Sequence, residues 1–319
     1  MWVTSATANL LKPTAIALGN FDGLHRGHQQ VFRPLLETIS HPESQSSSKA
    51  YTTLVTFSPH PKEFFTGQKQ QLLTPLKEKI TILEQLGLEQ LVLLPFDQTL
   101  AQLSPQAFVE QILIEQLDAT QICIGQDFRF GYKRSGTAQD LQAIAGQFNR
   151  EVRITPLYTQ GEKRISSSRI RHALQQGDIR QANYLLGRPY SLVGEVVTGQ
   201  KLGRTIGFPT ANLNVPPEKF LPRYGVYSVR VQIAEDGSPT THMGIMNLGC
   251  RPTVQAGQPP TIEVHLLDWS GDLYNKTLTV QLEQFVRPEQ KFASLEELKA
   301  QITQDCQEAR KTLSPQISS

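Results

Sequence analysis

The sequence has little cysteine. Cys123, Cys250 and Cys306 are far apart, odd in number and form no CxxC pair, which excludes a disulfide framework and fits a reducing compartment. Long apolar runs are missing as well. Nothing approaches about 18 consecutive apolar residues, and the opening MWVTSATANLLKPTAIALGNF has no segment suited to a signal peptide or membrane span. A cytoplasmic protein without a membrane partner is expected. An excess of one charge is lacking too: Lys+Arg 31 against Asp+Glu 29 gives a net charge of +2, too weak to argue for nucleic acid. Two familiar nucleotide signatures are also absent, since there is neither GxxxxGK[ST] nor GxGxxG.

What is present is 319 residues, enough for two domains with their own cores. In the first half, apolar runs alternate with helical patterns. TAIALGNF (14–21), YTTLVTF (51–57), LEQLVLLPF (88–96), ATQICIGQDF (119–128) and EVRITPLY (151–158) read as strands. HQQVFRPLLETI (28–39), TPLKEKITILEQLG (74–87), SPQAFVEQILIEQLD (104–118) and TAQDLQAIAGQFN (137–149) read as helices, and HPESQSSSK (41–49) as a surface loop. Such alternation predicts a parallel sheet with helices on both faces, a Rossmann-like architecture that binds ligands beyond its strand ends. After RISSSRIRHALQQGDIRQANYLLG the character changes to closely spaced β-rich runs, which predict an antiparallel barrel followed by a C-terminal helix over 294–311. The boundary is expected near Gly187-Arg188-Pro189, giving domains 1–187 and 188–319.

The stretch ALGNFDGLHRGHQQ (17–30) lies where a strand turns into a helix. Free backbone N–H groups and the helix dipole make such a turn an anion site. Gly23 and Gly27 allow close approach, and His25 and His28 can donate to phosphate oxygens. Zinc would need a third ligand, and no HExxH or cysteine cluster accompanies the pair. Read alone, the loop is either an anion cradle or a capped turn with two solvated histidines. RISSSRIR (164–171) carries three hydroxyls, Ser166, Ser167 and Ser168, with Arg171 and other guanidinium groups at the start of a helical pattern. Read alone, it is either a capped helix with basic surface residues or a seat for a triphosphate or leaving pyrophosphate; beside the first loop, the ligand reading is favoured.

His25-Arg26-Gly27-His28 resembles the His-x-Gly-His loop of nucleotidylyl transferases. GNFDGLHRGH, GQDFRFG, ISSSRIR, IGFPTANL, NLGCRPT, TIEVHLLDWSGDLYNKTLTVQL and VRPEQKFASLEELKAQI, in this order, resemble the bacterial bifunctional riboflavin kinase/FAD synthetase family over nearly the whole chain. The resemblance implies an N-terminal FMN adenylyltransferase and a C-terminal riboflavin kinase barrel. Riboflavin and ATP would give FMN, and FMN and a second ATP would give FAD and pyrophosphate.

The resemblance also implies site residues. Gly19, Asn20, Phe21, Asp22, Gly23, Gly27, Ser166, Ser167, Ser168 and Arg171 would bind the transferase nucleotide, with His25 and His28 at its α-phosphate. Pro59, His60, Asp127, Phe128 and Phe130 would meet the flavin. In the kinase, Glu263 would be the base, Thr210 and Asn212 of Pro-Thr-Ala-Asn would hold Mg²⁺, and Gly203 and Gly207 would shape the loop over the phosphates. Ser168 stands where the family commonly has Thr, and Asn275 where Gly is frequent, a position whose turn Asn tolerates. Partners are expected to be small molecules, and the protein a monomer or weak homo-oligomer.

Overall fold

A computed structural model describes residues 1–39, 49–199, 202–234, 240–250 and 260–314. Residues 41–48 of the Ser-rich segment and 251–253 of NLGCRPT therefore lie outside the described residues. The chain forms two compact units, Met1–Ser167 and Ser168–Ser319.

The first unit is built on β1 (Trp2–Thr4), β2 (Thr14–Leu18), β3 (Tyr51–Ser58), β4 (Gln90–Pro95), β5 (Ala119–Gly125) and β6 (Glu151–Thr155). All pair in parallel, in the order β1-β4-β3-β2-β5-β6. Between them run α1 (Arg26–Ile39), α2 (Pro61–Thr66), α3 (Leu76–Gln85), α4 (Gln98–Gln102), α5 (Pro105–Ala107) and α6 (Ala138–Gly146). The helix expected over 104–118 starts as read, with Ser104 Oγ accepting the Ala107 N–H, then widens into a π-helix over Phe108–Gln116. A hairpin of β7 (Thr159–Gln160) and β8 (Lys163–Arg164) completes the unit.

Successive side chains of a strand go to opposite faces, and β2 shows why both faces are covered. Ile16 and Leu18 enter one core with Val109, Leu113 and Leu141, under the π-helix and α6. Ala15 and Ala17 enter the other with Phe32, Leu35 and Leu83, under α1 and α3. A strand apolar on both faces is stable only between two helical layers. The strand order reverses at β2, which has β3 on one side and β5 on the other. Ligand sites in such sheets lie beyond the carboxyl ends at this reversal. GNFDGLHRGH leaves β2 there, and GQDFRFG leaves β5.

The second unit carries α7 (Ser167–Gln176, whose first residue ends the first unit) and α8 (Ile179–Leu186). There follow β9 (Tyr190–Val197), α9 (Leu202–Thr205), β10 (Ala211–Asn214), β11 (Gly225–Ile233), β12 (Thr240–Gly249), β13 (Thr261–Leu266), β14 (Thr277–Arg287) and α10 (Leu295–Leu313). The strands close an antiparallel barrel in the order β10-β13-β12-β11-β14-β9. Tyr227, Val229, Met246, Val264 and Leu282 are buried in its interior.

The break at Ser167/Ser168 falls earlier than the Gly187-Arg188-Pro189 boundary expected from sequence character. The reason is that α7 and α8, though helical, are bonded to the barrel. Asn183 Nδ2 donates to the Leu282 carbonyl at 2.8 Å and its Oδ1 accepts the Tyr190 N–H at 2.7 Å, while the Arg223 N–H reaches the Leu174 carbonyl at 2.9 Å. On another wall, α10 is started by Ser294 Oγ, which accepts the Glu297 N–H at 3.1 Å. Its Cys306, Ala309 and Leu313 pack on Val226 and Ile245. Arg287 and the buried Asp305 join β14 to α10 through paired bonds of 3.0 and 2.8 Å.

Candidate active sites

The loop after β2 is unusual in its backbone. Phe21 (φ 48°), Gly23 (φ 89°) and Leu24 (φ 43°) are left-handed, and the two non-glycine residues are buried. That conformation strains a residue with a Cβ, so surrounding contacts must hold it. Thr56 Oγ1 donates to the Asn20 carbonyl at 2.9 Å, Gln29 Nε2 to the Leu24 carbonyl at 3.0 Å, and Ser167 Oγ to the Asp22 carbonyl at 2.8 Å. Asp22 Oδ2 and Oδ1 accept the Leu73 and Thr74 N–H groups at 3.3 and 3.2 Å. Asp22 and Ser167, both expected at the phosphates, thus brace the loop from within: a buried carboxylate that bonds amides is better suited to holding chain than to meeting an anion.

His25 precedes α1 and is 5% exposed. Its Nδ1 accepts the His28 N–H at 3.2 Å, in the manner of an N-cap. A backbone amide only donates, so the neutral ring carries its proton on Nε2. The two imidazoles stack with centroids 3.6 Å apart, and the Phe21 ring meets His28 edge-on at 5.2 Å. A Cβ at Gly27 would come 3.2 Å from the His25 ring, and one at Gly19 3.3 Å from the Phe21 ring. The loop thus brings both histidines to the first turn of α1. Among the described residues, no three His, Cys, Asp or Glu side chains gather as a metal site. Ser166 is half-buried; Ser168 and Arg171 lie on α7 in the second unit, where Arg171 stands over the Phe220 ring at 5.6 Å.

The expected flavin residues separate. Asp127 is ion-paired with Arg164 at 2.5 Å. Phe128 is half-buried and stacks on Phe130 at 5.8 Å. Phe130 is a core residue, 5% exposed, packed against Phe108 and tight beneath Gly136, so only Phe128 of the pair offers a face to solvent. Pro59 is exposed, and His60 caps α2 by accepting the Lys62 N–H on Nδ1 at 3.1 Å. At the carboxyl ends of β3 and β4, Phe57, Phe64, Phe65 and Phe96 form an aromatic cluster with centroids 5.2 to 5.8 Å apart, and Phe65 is 69% exposed.

In the barrel, Asn212 on β10 and Asn247 on β12 stand directly opposite Glu263 on β13, one on either side. Opposed residues share a face. Ile262 and Val264 fill the interior, so the three polar side chains project from the outer wall, with Glu263 half-buried. Thr210 precedes β10. The turn before it is tight: a Cβ at Gly203 would meet the Phe208 carbonyl at 2.3 Å, and one at Gly199 would meet Asn212 Nδ2 at 2.0 Å. Gly207 is left-handed at φ 88°. The His265 ring is exposed to the Pro209 carbonyl, and because a carbonyl only accepts, Nδ1–H donates to it at 2.8 Å. Beside this turn a cleft of about 630 Å³ is lined by Phe208, Pro209, His265, Trp269, Thr303 and Arg310, among others. Thr210 and Asn212 offer neutral oxygen donors, suited to a hard cation held mainly by phosphate oxygens. The close approach of Gly199 to Asn212 and of Gly203 to Thr210, with no room for a Cβ at either glycine, packs the preceding turn against both side chains.

A family model of FAD synthetase matches residues 7–169, and one of riboflavin kinase matches residues 186–313. A protein of Escherichia coli named bifunctional riboflavin kinase/FMN adenylyltransferase is 39% identical over 292 residues, 91% of this chain and 90% of its own. The chain belongs to the bifunctional riboflavin kinase/FMN adenylyltransferase family. Proteins of the same name from Listeria monocytogenes (37% identical, 92% of this chain and 91% of that one) and Bacillus subtilis (38%, 93% and 91%) agree. Among solved structures, a Streptococcus pneumoniae chain named macrolide-efflux protein has a TM-score of 0.84 at 30% identity, covering 97% of this chain and 98% of that one. Among the described residues no helix is long and apolar enough to cross a membrane.

Within this bifunctional family, sequence reading locates the two loops but misses residues that the register supplies. Asn247 sits in NLGCRPT with no pattern of its own and becomes notable only through its pairing with Glu263. His265, two residues after Glu263, holds Pro209. The adjacent Phe64 and Phe65 are the sequence signal of the aromatic cluster. Asn275 adopts φ 63°, the left-handed turn that the family's glycine would take.

Proposed function

We propose that the chain makes FMN from riboflavin and ATP on the outer wall of the barrel, and FAD from FMN and ATP at the reversal of the parallel sheet. The transferase residues fall within 1–187 and the kinase residues within 188–319. The observation that carries the reading is the pair of chemically distinct sites: a loop with imidazole donors and no free carboxylate base, and a carboxylate flanked by two carboxamides.

In adenylyl transfer an FMN phosphate oxygen attacks the α-phosphorus of ATP, the bond from that phosphorus to the bridging oxygen breaks, and pyrophosphate leaves. The nucleophile is already an anion, so no proton needs removal. The site must align the reactants and offset charge growing on the α-phosphate. His25 Nε2–H, His28 and the amides of Gly23 and Gly27 at the start of α1 do this. Ser166 joins on the strength of its motif. Phe128 and the exposed face of the Phe64–Phe65 cluster offer apolar surface to the isoalloxazine, and Pro59 and His60 border it.

The kinase must activate the ribityl hydroxyl of riboflavin. Glu263 takes its proton as the oxygen attacks the γ-phosphorus and ADP departs. Asn212 and Asn247 hold the carboxylate in line. Thr210 and Asn212 would hold Mg²⁺, which would offset the phosphate charge. The cleft beside Pro209 receives the base of ATP, and Gly203 and Gly207 let the preceding turn approach its phosphates.

The test is incubation of the purified chain with riboflavin, ATP and Mg²⁺, with separation of products. FMN followed by FAD is expected. Accumulation of FMN alone removes the transferase reading, and no FMN removes the kinase reading.

A further inference from the structure

His265 stands on β13 two residues after Glu263, so the two side chains leave the same face of the strand. Its Nδ1–H donates to the Pro209 carbonyl at 2.8 Å, across 56 residues of sequence. The place of that bond is informative. The β10–β13 ladder pairs Asn212 with Glu263 and Ala211 with Val264, and ends there. Continued by one pair, it would set Thr210 opposite His265, but β10 begins at Ala211. Proline has no N–H with which to carry a ladder on, and a side chain takes over where the backbone pairing stops.

Thr210 is thereby the single residue between two attachments to β13: the ladder at Ala211 and the imidazole bond at Pro209. The ring that makes the second attachment is itself steadied. Phe208 meets it edge-on with centroids 5.6 Å apart, and Phe208 packs on the core between the barrel and α10. The Phe208 N–H donates to the Gly203 carbonyl at 2.8 Å, and a Cβ at Gly203 would come 3.3 Å from Thr210 Oγ1. His265 thus closes the far end of this turn against the strand that carries Glu263.

We propose that His265 is a positioning residue for riboflavin phosphorylation: through the Pro209 carbonyl it fixes the Thr210 hydroxyl relative to Glu263, and so sets the seat of the ATP phosphates against the base. This rests on the reading of Thr210 and Glu263 as kinase residues. A hydroxyl loses its aim when the neighbouring peptide is free to rotate, and a misplacement of about 1 Å costs on the order of 100-fold in rate.

Two replacements of similar size test the bond. Asn carries an amide N–H close to the position of Nδ1, and Leu has nearly the same shape without a donor. The full chains His265→Asn and His265→Leu are assayed for FMN formation from riboflavin with ATP and Mg²⁺ varied, and their backbone hydrogen exchange is followed over 205–214. His265→Leu is expected to lower kcat/KM about 10-fold to 100-fold. The loss falls on kcat and on KM for ATP, with KM for riboflavin and FAD formation from FMN unchanged. Exchange over 205–214 rises in His265→Leu without nucleotide and stays near wild type in His265→Asn, which keeps most of the activity. His265 also lines the cleft beside Pro209, so a direct contact with the nucleotide would be lost in both variants alike. Equal losses in the two therefore overturn the inference, as do wild-type rates or wild-type exchange in His265→Leu. Should His265→Leu fail to fold by circular dichroism, His265→Ala takes its place with the same outcomes. A wild-type chain that makes no FMN defeats the kinase reading itself, and is distinguishable because it shows before any variant is made.

Discussion

Glu263 on β13 is paired in register with Asn212 on β10, so the carboxylate proposed as base and the carboxamide proposed to hold the metal share one face of the barrel on neighbouring strands. Replacing the carboxylate with a carboxamide keeps the shape and removes the proton acceptor. Glu263→Gln should lower riboflavin phosphorylation by about 100-fold to 10,000-fold. FAD formation from supplied FMN should stay at the wild-type rate. Rates of both half-reactions on one preparation check this, and an unchanged kinase rate would leave Glu263 without its role.

His28 shares its stack with His25 and lies in the first turn of α1. His28→Ala removes a side-chain donor but leaves the backbone amide that His25 Nδ1 accepts. FAD formation should fall by about 100-fold or more, the scale of losing one preorganised donor to a developing anion. Riboflavin kinase activity should not change. Equal loss of both activities in a folded variant would contradict the separation of the sites.

Gly199 faces the Asn212 side chain with no room for a methyl group, since a Cβ would come within 2.0 Å of Nδ2. Gly199→Ala should therefore displace that amide and cost the kinase about 10-fold at fixed Mg²⁺ and ATP. Titrating Mg²⁺ should restore part of the rate. A variant with the wild-type Mg²⁺ dependence would show that Asn212 does not hold the metal.

Glu89 gives the first unit an acid-sensitive contact. Its carboxylate accepts the Thr52 N–H at 2.9 Å, Thr52 Oγ1 at 3.1 Å and Lys49 Nζ at 2.7 Å. Burial pushes its pKa up, but the bonds from Lys49 and Thr52 outweigh burial and hold it below the ordinary value of 4.5. A depressed carboxylate stabilises the fold above its ordinary pKa, and that contribution is lost as pH falls through the depressed value. Urea unfolding of wild type and Glu89→Gln should therefore differ at neutral pH and converge as the pH drops below 4.5. A difference independent of pH would assign the effect to packing.

The architecture was legible because its strands are extreme in character. Strands such as TAIAL and ICIG are apolar on both faces, which only a sheet between helical layers satisfies. ANLN was harder: four residues with alternating polarity make a strand only because β9 and β13 are there to pair with it. The loop sequences were visible as motifs, but the duties within them were not. Asp22 looked like a ligand residue, and its amide partners lie 51 and 52 residues away, beyond the reach of local pattern. Phe130 looked like a flavin surface until Gly136 and Phe108 enclosed it. The break between the compact units falls before α7 and not after α8 for a similar reason, since helical periodicity does not reveal which neighbour a helix will join.

The closed barrel has a consequence for Glu263. In an open sheet, a one-residue slip of a single strand would turn its side chains inside out. Here β13 is bonded on both sides, so a slip of that strand would have to break its register with β10 and with β12 together. The outward aim of one carboxylate is thus held by two seams at once, neither of which can yield alone.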